Sequence, residues 1–346
     1  MKSSARPLRI GYLPFSPDEN TYVARMKHIL QGFAEVVEAP DLKKLRTRPL
    51  AFFRERYDVV ILNWTDNRLA SHHTGKASPL GFAKFVAEAL AVRLTTRKII
   101  FVRHNNYPHH ANADSGKFIS RTLDRLSSLF DLVITHSAHE PESRKHYVPH
   151  PLYAIQPPAE AASAGDYFVV FGRILRYKRI LELIEAFPAD RKLVIAGACL
   201  DNDYLAQMRA AAQGKDVEIR AGFIEDAAAR DLVGRSAGLI ICNAEDDMVV
   251  SGSYFYAVSL GASVLALRTP FLDWLSSRLK FPGLRVYATL DEMCQGLDDA
   301  IPADPQAVIR SGHQHFGEHR IADCWKAALA RIGLEPKAQL APHFRG

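Results

Sequence analysis

Twice along this chain, short and mostly apolar stretches alternate with longer ones whose apolar residues recur every three or four positions. A strand that is apolar throughout must be covered on both faces. A helix-period segment between two such strands joins them as a parallel crossover. The first series predicts strands at 8–13, 59–62, 98–102 and 132–135, with helices at 20–33, 82–94 and 116–129. The second predicts strands at 167–171, 192–196, 217–221, 238–242 and 263–267. Helices are expected between them at 180–187, 204–212, 227–235 and 253–260, and a long helical stretch at 304–332. Between the series, 148–158 carries four prolines and 159–165 is small and polar, the composition of a linker. The expectation is an α/β chain of two Rossmann-like domains, 1–157 and 158–320, with a C-terminal helix and tail at 321–346. Open α/β sheets bind ligands beyond the carboxyl ends of their strands, so the residues just after each strand are the candidates.

In the second series two such places stand out. Gly172-Arg173-Ile174 follows the strand at 167–171 and leads through Tyr177-Lys178-Arg179 into a helix. Ser251-Gly252-Ser253 opens the helix before the strand at 263–267. Gly252 lets the backbone approach a ligand, and either serine can cap the helix. A helix N-terminus with free N–H groups is an anion site. One element made of backbone and one of side-chain charge together suit a diphosphate. The bland readings, a plain cap and a solvated basic helix start, lose weight because both elements follow parallel-type strands of one array.

Charge is uneven. Residues 1–157 hold 23 Lys and Arg against 14 Asp and Glu, and 158–346 hold 21 against 24. The segment 41–56 mixes six cations with leucine and phenylalanine, a composition suited to an anionic membrane surface; a solvated helix with its apolar side in the core is the alternative. No nucleic-acid motif accompanies the charge, so nucleic acid is not expected as a partner. The four cysteines stand apart with no CxxC pair, which fits a reducing compartment and disfavours a zinc site. Asp246-Asp247 reads as a solvated pair, and His109-His110 lacks further metal ligands. No metal or cofactor is expected. There is no signal-peptide core and no run of the roughly 20 apolar residues a spanning helix needs. No GxGxxG appears in either half, which weakens a dehydrogenase reading.

Gly172-Arg173-Ile174…Tyr177-Lys178, Ala196-Gly197, Gly222-Phe223-Ile224-Glu225-Asp226 and Ser251-Gly252-Ser253 through Gly261-Ala262-Ser263-Val264 occur in that order. They resemble the donor half of GT-B glycosyltransferases, above all the bacterial exopolysaccharide enzymes of the group containing the xanthan β-mannosyltransferase. Related glucuronosyltransferases are near rivals. The resemblance is specific over roughly 167–267 and looser before it. It implies two domains facing a central cleft, and transfer of mannose or glucuronate from a UDP- or GDP-linked donor to a polyprenyl-diphosphate-linked oligosaccharide. It also implies a cytoplasmic protein, peripheral on the inner face of the plasma membrane. The donor would be held by Gly172, Arg173, Lys178, Ser251, Gly252, Ser253 and Tyr256. Asn20, Tyr22, Trp64, His104 and Asn105 fall where the group has its acceptor loops.

One departure matters. The Glu-x7-Glu pair of a large retaining family would fall at Met248 and Tyr256, and neither is acidic. An inverting displacement is therefore expected, and it needs a base on the N-terminal domain. Asp66 is favoured because Trp64 beside it offers a platform for a sugar; Asp18, Glu19 and His104 are the other candidates. A retaining transferase, a non-catalytic nucleotide-sugar-binding subunit and a GT-B-shaped epimerase remain as alternatives.

Overall fold

The computed structural model describes residues 6–16, 21–108, 110–138, 145–157, 165–243, 249–297 and 303–336. The chain divides into two compact units, Met1–Pro151 with Glu318–Gly346, and Leu152–Gly317.

In the first unit, β1 (Arg9–Leu13), β2 (Glu35–Glu38), β3 (Tyr57–Asn63), β4 (Thr96–Arg103), β5 (Leu132–Thr135) and β6 (Lys145–Tyr147) form one sheet. Its order is β2-β1-β3-β4-β5-β6, parallel throughout. The helices are α1 (Thr21–Gln31), α2 (Leu42–Thr47), α3 (Pro49–Arg54), α4 (Pro79–Arg93) and α5 (Ala113–Leu126). Strand alternation sorts the core. Ile10, Val59, Ile61, Ile100, Val102 and Ile134 pack on the α1 side, where Met26 and Leu30 meet them. Val60, Leu62, Ile99, Phe101 and Val133 pack on the other side against Phe85 of α4 and Ile119 of α5.

The second unit contains β7 (Tyr167–Phe171), β8 (Lys192–Gly197), β9 (Val217–Ala221), β10 (Gly238–Ile241), β11 (Val264–Leu267) and β12 (Leu284–Tyr287). Its helices are α6 (Ile180–Ala186), α7 (Asn202–Ala211), α8 (Asp226–Gly234), α9 (Gly252–Ser259), α10 (Pro270–Ser277), α11 (Leu290–Gln295) and α12 (Pro305–Phe316). The sheet order is β12-β11-β10-β7-β8-β9, again parallel.

Two expectations need correction. The break falls between Pro151 and Leu152, inside the proline-rich stretch and before the expected end at 157. The stretch 304–332 is two helices, and α13 (Glu318–Arg331) belongs with the first unit. The tail from 321 is thus no separate piece. The reason is its apolar stripe: Ile321, Trp325, Ala328 and Leu329 are buried in the α1-side core. The Trp325 indole N–H donates to Met26 Sδ at 2.9 Å, and Arg25 pairs with Glu318 at 2.7 Å.

Candidate functional site

The carboxyl edge of the second sheet is built on glycine. Gly172 follows β7 with φ +113°, Gly197 ends β8 with φ +148°, and an L side chain is strained in either conformation. The Gly172 amide donates to Ala196 O at 3.0 Å. A Cβ on Gly197 would stand 2.1 Å from Gly172 O, so the two loops approach as closely as they do only without a side chain there. A Cβ on Gly172 would lie 3.4 Å from Lys178 Nζ and 3.6 Å from Ser253 Oγ. The ammonium and the hydroxyl therefore flank a bare stretch of backbone.

Each neighbour is held in place. The Ser253 hydroxyl donates to Phe171 O at 3.0 Å, tying the start of α9 to the end of β7. Ser251 is the N-cap, accepting from the Tyr254 amide at 3.4 Å, so the two serines divide the work and only Ser251 caps. The Cys242 thiol donates to Lys178 O at 2.9 Å. Burial pulls the Lys178 ammonium down to about 8, and the Arg173 charge adds to that. Arg173 itself is exposed, with no ion-pair partner among the described residues. Tyr256 stacks on Phe171 at 4.8 Å and meets Tyr153 edge-on at 5.4 Å. The Tyr153 hydroxyl faces Gly252, at 3.5 Å from where a Cβ would be. All the expected donor residues thus lie at one edge of the second unit. Met248 and the Asp246-Asp247 pair lie outside the described residues.

The carboxyl edge of the first sheet is different: a buried cluster of histidines around a tyrosine. His104 follows β4, His136 follows β5, and His150 stands three residues past β6. All three are under 10 % exposed. The ring of Tyr22 lies 4.7 Å from His104, 5.3 Å from His136 and 5.1 Å from His150. Trp64 stacks on His104 at 4.1 Å.

Hydrogen bonds assign the protons. His136 Nδ1 lies 2.8 Å from Val148 O, so Nδ1 carries the hydrogen and Nε2 accepts from the Tyr22 hydroxyl at 3.0 Å. The Asn63 amide donates to Leu13 O, so its oxygen accepts from His104 Nε2 at 3.1 Å. His150 Nδ1 donates to Pro151 O at 2.8 Å. Burial drives the His136 pKa to about 4 and His150 to about 3, and pushes His104 well below the ordinary histidine value.

Asp66 lies in the short 3-10 turn Thr65–Leu69, and the sequence argument that paired it with Trp64 does not carry into three dimensions. Trp64 packs with the α1-side core and on His104. The charges acting on Asp66 are instead Arg103 and Arg68. Arg68 is paired with Glu88 of α4, and Arg103 with Asp124 of α5. A left-handed Trp64, φ 52°, turns the chain between the two. Asp66 is 3 % exposed; burial raises its pKa to about 6, and Oδ1 has no hydrogen-bond partner among the described residues. Tyr22 spends its hydroxyl on His136, and Asn105 gives its carbonyl to Arg103. Asn20, Asp18, Glu19 and His109 lie outside the described residues.

His136 and His150 were not singled out by sequence, although the post-strand position that pointed to His104 applies to His136 as well. His150 was hidden because its segment reads as linker and β6 carries no apolar run. Tyr153 was hidden for the same reason.

No protein-family profile matches the chain, and no curated protein is significantly similar in sequence. Solved structures are similar in fold. Anabaena Alr3699/HepE in complex with UDP covers 94 % of this chain over 100 % of its own length, at 11 % identity and a TM-score of 0.61. The same protein with UDP and glucose aligns at a TM-score of 0.63, 14 % identity and 93 % coverage of this chain over 99 % of its own. An α,α-trehalose-phosphate synthase (UDP-forming) from Burkholderia xenovorans, in complex with glucose-6-phosphate, aligns at 0.59 with 11 % identity, 94 % of this chain and 100 % of its own. The architecture of two parallel six-stranded sheets is that of the GT-B glycosyltransferases.

Proposed function

We propose that the chain is a glycosyltransferase that takes its sugar from a nucleotide donor held at the carboxyl edge of the second unit. One observation carries this reading: Lys178 Nζ and Ser253 Oγ flank side-chain-free Gly172 at the start of α9. Lys178 meets one phosphate as a point charge, the first turn of α9 offers N–H groups to the other, and exposed Arg173 reaches in bidentately. Cations at the leaving diphosphate do the work of charge stabilisation that other enzymes give to a metal. The UDP complexes of the fold neighbour favour a UDP-linked donor.

The transfer is inverting, with the hydroxyl of a polyprenyl-diphosphate-linked oligosaccharide in exopolysaccharide assembly as acceptor and mannose or glucuronate as the sugar. Asp66 is the proton acceptor: a carboxylate with a pKa near 6 and an unpartnered oxygen is poised for base catalysis near neutral pH. Thermal-shift titration with UDP- and GDP-linked sugars tests the donor site directly. One nucleotide class stabilises the protein, and Arg173→Ala weakens that binding by about 1.5–3 kcal/mol. No shift with any nucleotide sugar, or unchanged affinity in the variant, refutes the site. A product that keeps the donor's anomeric configuration refutes inversion.

A further inference from the structure

Large exposed apolar side chains are concentrated on one helical layer of the first unit. Of the eight large hydrophobic side chains exposed among the described residues, six lie there: Leu50 and Phe53 on α3, Leu80 and Leu90 on α4, Leu94 at its C-cap, and Phe118 on α5. These helices share a side of the sheet. Phe85 of α4 and Ile119 of α5 face the same core, α2 packs against α4, and Phe82 of α4 meets Phe118 edge-on at 6.0 Å.

α4 is apolar on both faces. Its inner face buries Phe85, Ala89 and Val92. Its outer face exposes Leu80, Ala83, Ala87, Leu90 and Leu94, a stripe at helical spacing about 20 Å long. The three leucines are 64 %, 56 % and 61 % exposed. Exposing such a stripe is costly, and it marks a contact surface. Around it the charge is positive. Lys84 is exposed on α4 itself, Lys117 and Arg121 on α5, and Arg46, Arg48 and Arg54 on α2–α3. The one acid of α4, Glu88, is buried and paired with Arg68. Glu55 is paired with Lys44. On α5, Asp124 is paired with Arg103, and Asp114 is exposed.

We propose that this layer is a docking face for an anionic phospholipid bilayer, with the leucine stripe of α4 seated among the headgroups. Single-file aliphatic groups separated by alanines suit the acyl boundary. Cations spread over neighbouring helices suit a continuous sheet of negative headgroups, which their flexible stems can reach. The basic segment at 41–56 does not do this alone: it is two six-residue helices, with Phe52 buried in the fold. It supplies charge beside the apolar face of α4. The inference deepens the reading of a lipid-linked acceptor and rests on it for its purpose. The test uses no substrate, so vesicle binding and sugar transfer can fail independently.

Flotation of the full chain with vesicles of phosphatidylcholine alone, and with about one third phosphatidylglycerol, is the measurement. Wild type binds the anionic vesicles and is released as salt shortens the Debye length. Leu80→Ser with Leu90→Ser and Leu94→Ser weakens binding by about tenfold or more, as does Lys84→Glu with Arg121→Glu. Leu200→Ser with Phe223→Ser leaves binding unchanged, although these side chains of the second unit are 94 % and 87 % exposed. Melting curves check that each variant folds; if the leucine variant does not, the charge-reversal variant decides. Equal binding to neutral and anionic vesicles overturns the proposal, as does wild-type binding by whichever variant decides. Self-association without vesicle binding, abolished by the leucine changes, would assign the stripe to a second copy of the chain.

Discussion

The carboxyl edges of the two sheets occupy the same topological position and are built from opposite materials. In the second unit the edge is glycine, a lysine and the start of a helix, arranged to leave backbone bare. In the first it is three neutral histidines and a tyrosine, buried and hydrogen-bonded to one another, to Asn63 or to backbone, with a half-buried Trp64 stacked on His104. A site for a diphosphate needs donors that nothing else has claimed. The histidine cluster has claimed most of its own, and what it gains is a fixed set of tautomers and a rigid wall. The contrast teaches that position in a Rossmann-like unit says where a site is, while the free valences of the side chains say what it can hold.

The largest effect expected from this contrast is on acid stability. His136 and His150 titrate at about 4 and about 3 in the folded unit against an ordinary 6.5, and His104 is depressed in the same direction. Between those values the unfolded chain binds protons that the folded chain refuses. The stability is therefore fully present above about pH 6.5 and is lost as pH falls towards 4. At pH 5 His136 and His150 each cost about 2 kcal/mol, and His104 adds to the loss in the same direction. Hydrogen exchange at pH 7 and pH 5 should show the first unit opening while the second stays protected. Equal loss in both units would break the comparison. His150→Gln should flatten the dependence.

Next in size is Asp66→Asn. The variant keeps the shape and removes the proton acceptor, so turnover should fall about 10²–10⁴-fold with donor affinity unchanged. The wild-type rate should also decline below about pH 6, where the carboxylate protonates, and that limb should vanish in the variant. A near-normal rate would make Asp66 a structural residue and pass the role to Glu19, Asp18 or His104. In either case the effect belongs to the first unit alone, which the unchanged donor affinity tests.

Gly197→Ala probes the second edge with a smaller effect. The new methyl meets Gly172 O in a backbone conformation alanine rarely adopts. A loss of about 2–4 kcal/mol in stability is expected, together with loss of the nucleotide-induced shift as the Gly172 loop moves. Retained nucleotide binding would show that the close approach of the two loops is dispensable.

What the sequence made legible follows from locality. The apolar strand Tyr167–Phe171 is where its composition placed it, because a centre buried on both faces leaves no alternative period; Val217–Ala221, at the sheet edge, was instead legible from its alternation of apolar and charged residues. That Gly172, Lys178 and Ser251–Ser253 meet at one sheet edge was legible since each lies within a few residues of a strand or helix end, and turn chemistry is written locally. β2, β6 and β12 were not legible: Glu35–Glu38, Lys145–Tyr147 and Leu284–Tyr287 are short strands with charged residues. Nor was the cluster. Tyr22 and His136 are 114 residues apart, and only the sheet order brings them together. Trp64 and Asp66 show the reverse failure, two near neighbours in sequence that serve different surroundings.

The smallest prediction concerns Lys178, and it separates the two edges by the sign of their charge. The histidines are neutral at pH 7, whereas Lys178, at about 8, is still mostly protonated there. A bound diphosphate favours the ammonium form and raises its pKa, so binding takes up a proton wherever the free protein has lost one. Donor affinity should therefore be flat below about pH 7.5 and fall up to tenfold per pH unit above about 8, about 1.4 kcal/mol for each unit. Isothermal titration in two buffers of different ionisation enthalpy would read the proton uptake directly. Lys178→Arg keeps the charge at all these pH values, so the decline should disappear even if the longer fork binds less well. A decline that persists in Lys178→Arg would assign the titration to the nucleotide, since burial pushes Tyr256 up to about 12, and would remove Lys178 from the diphosphate.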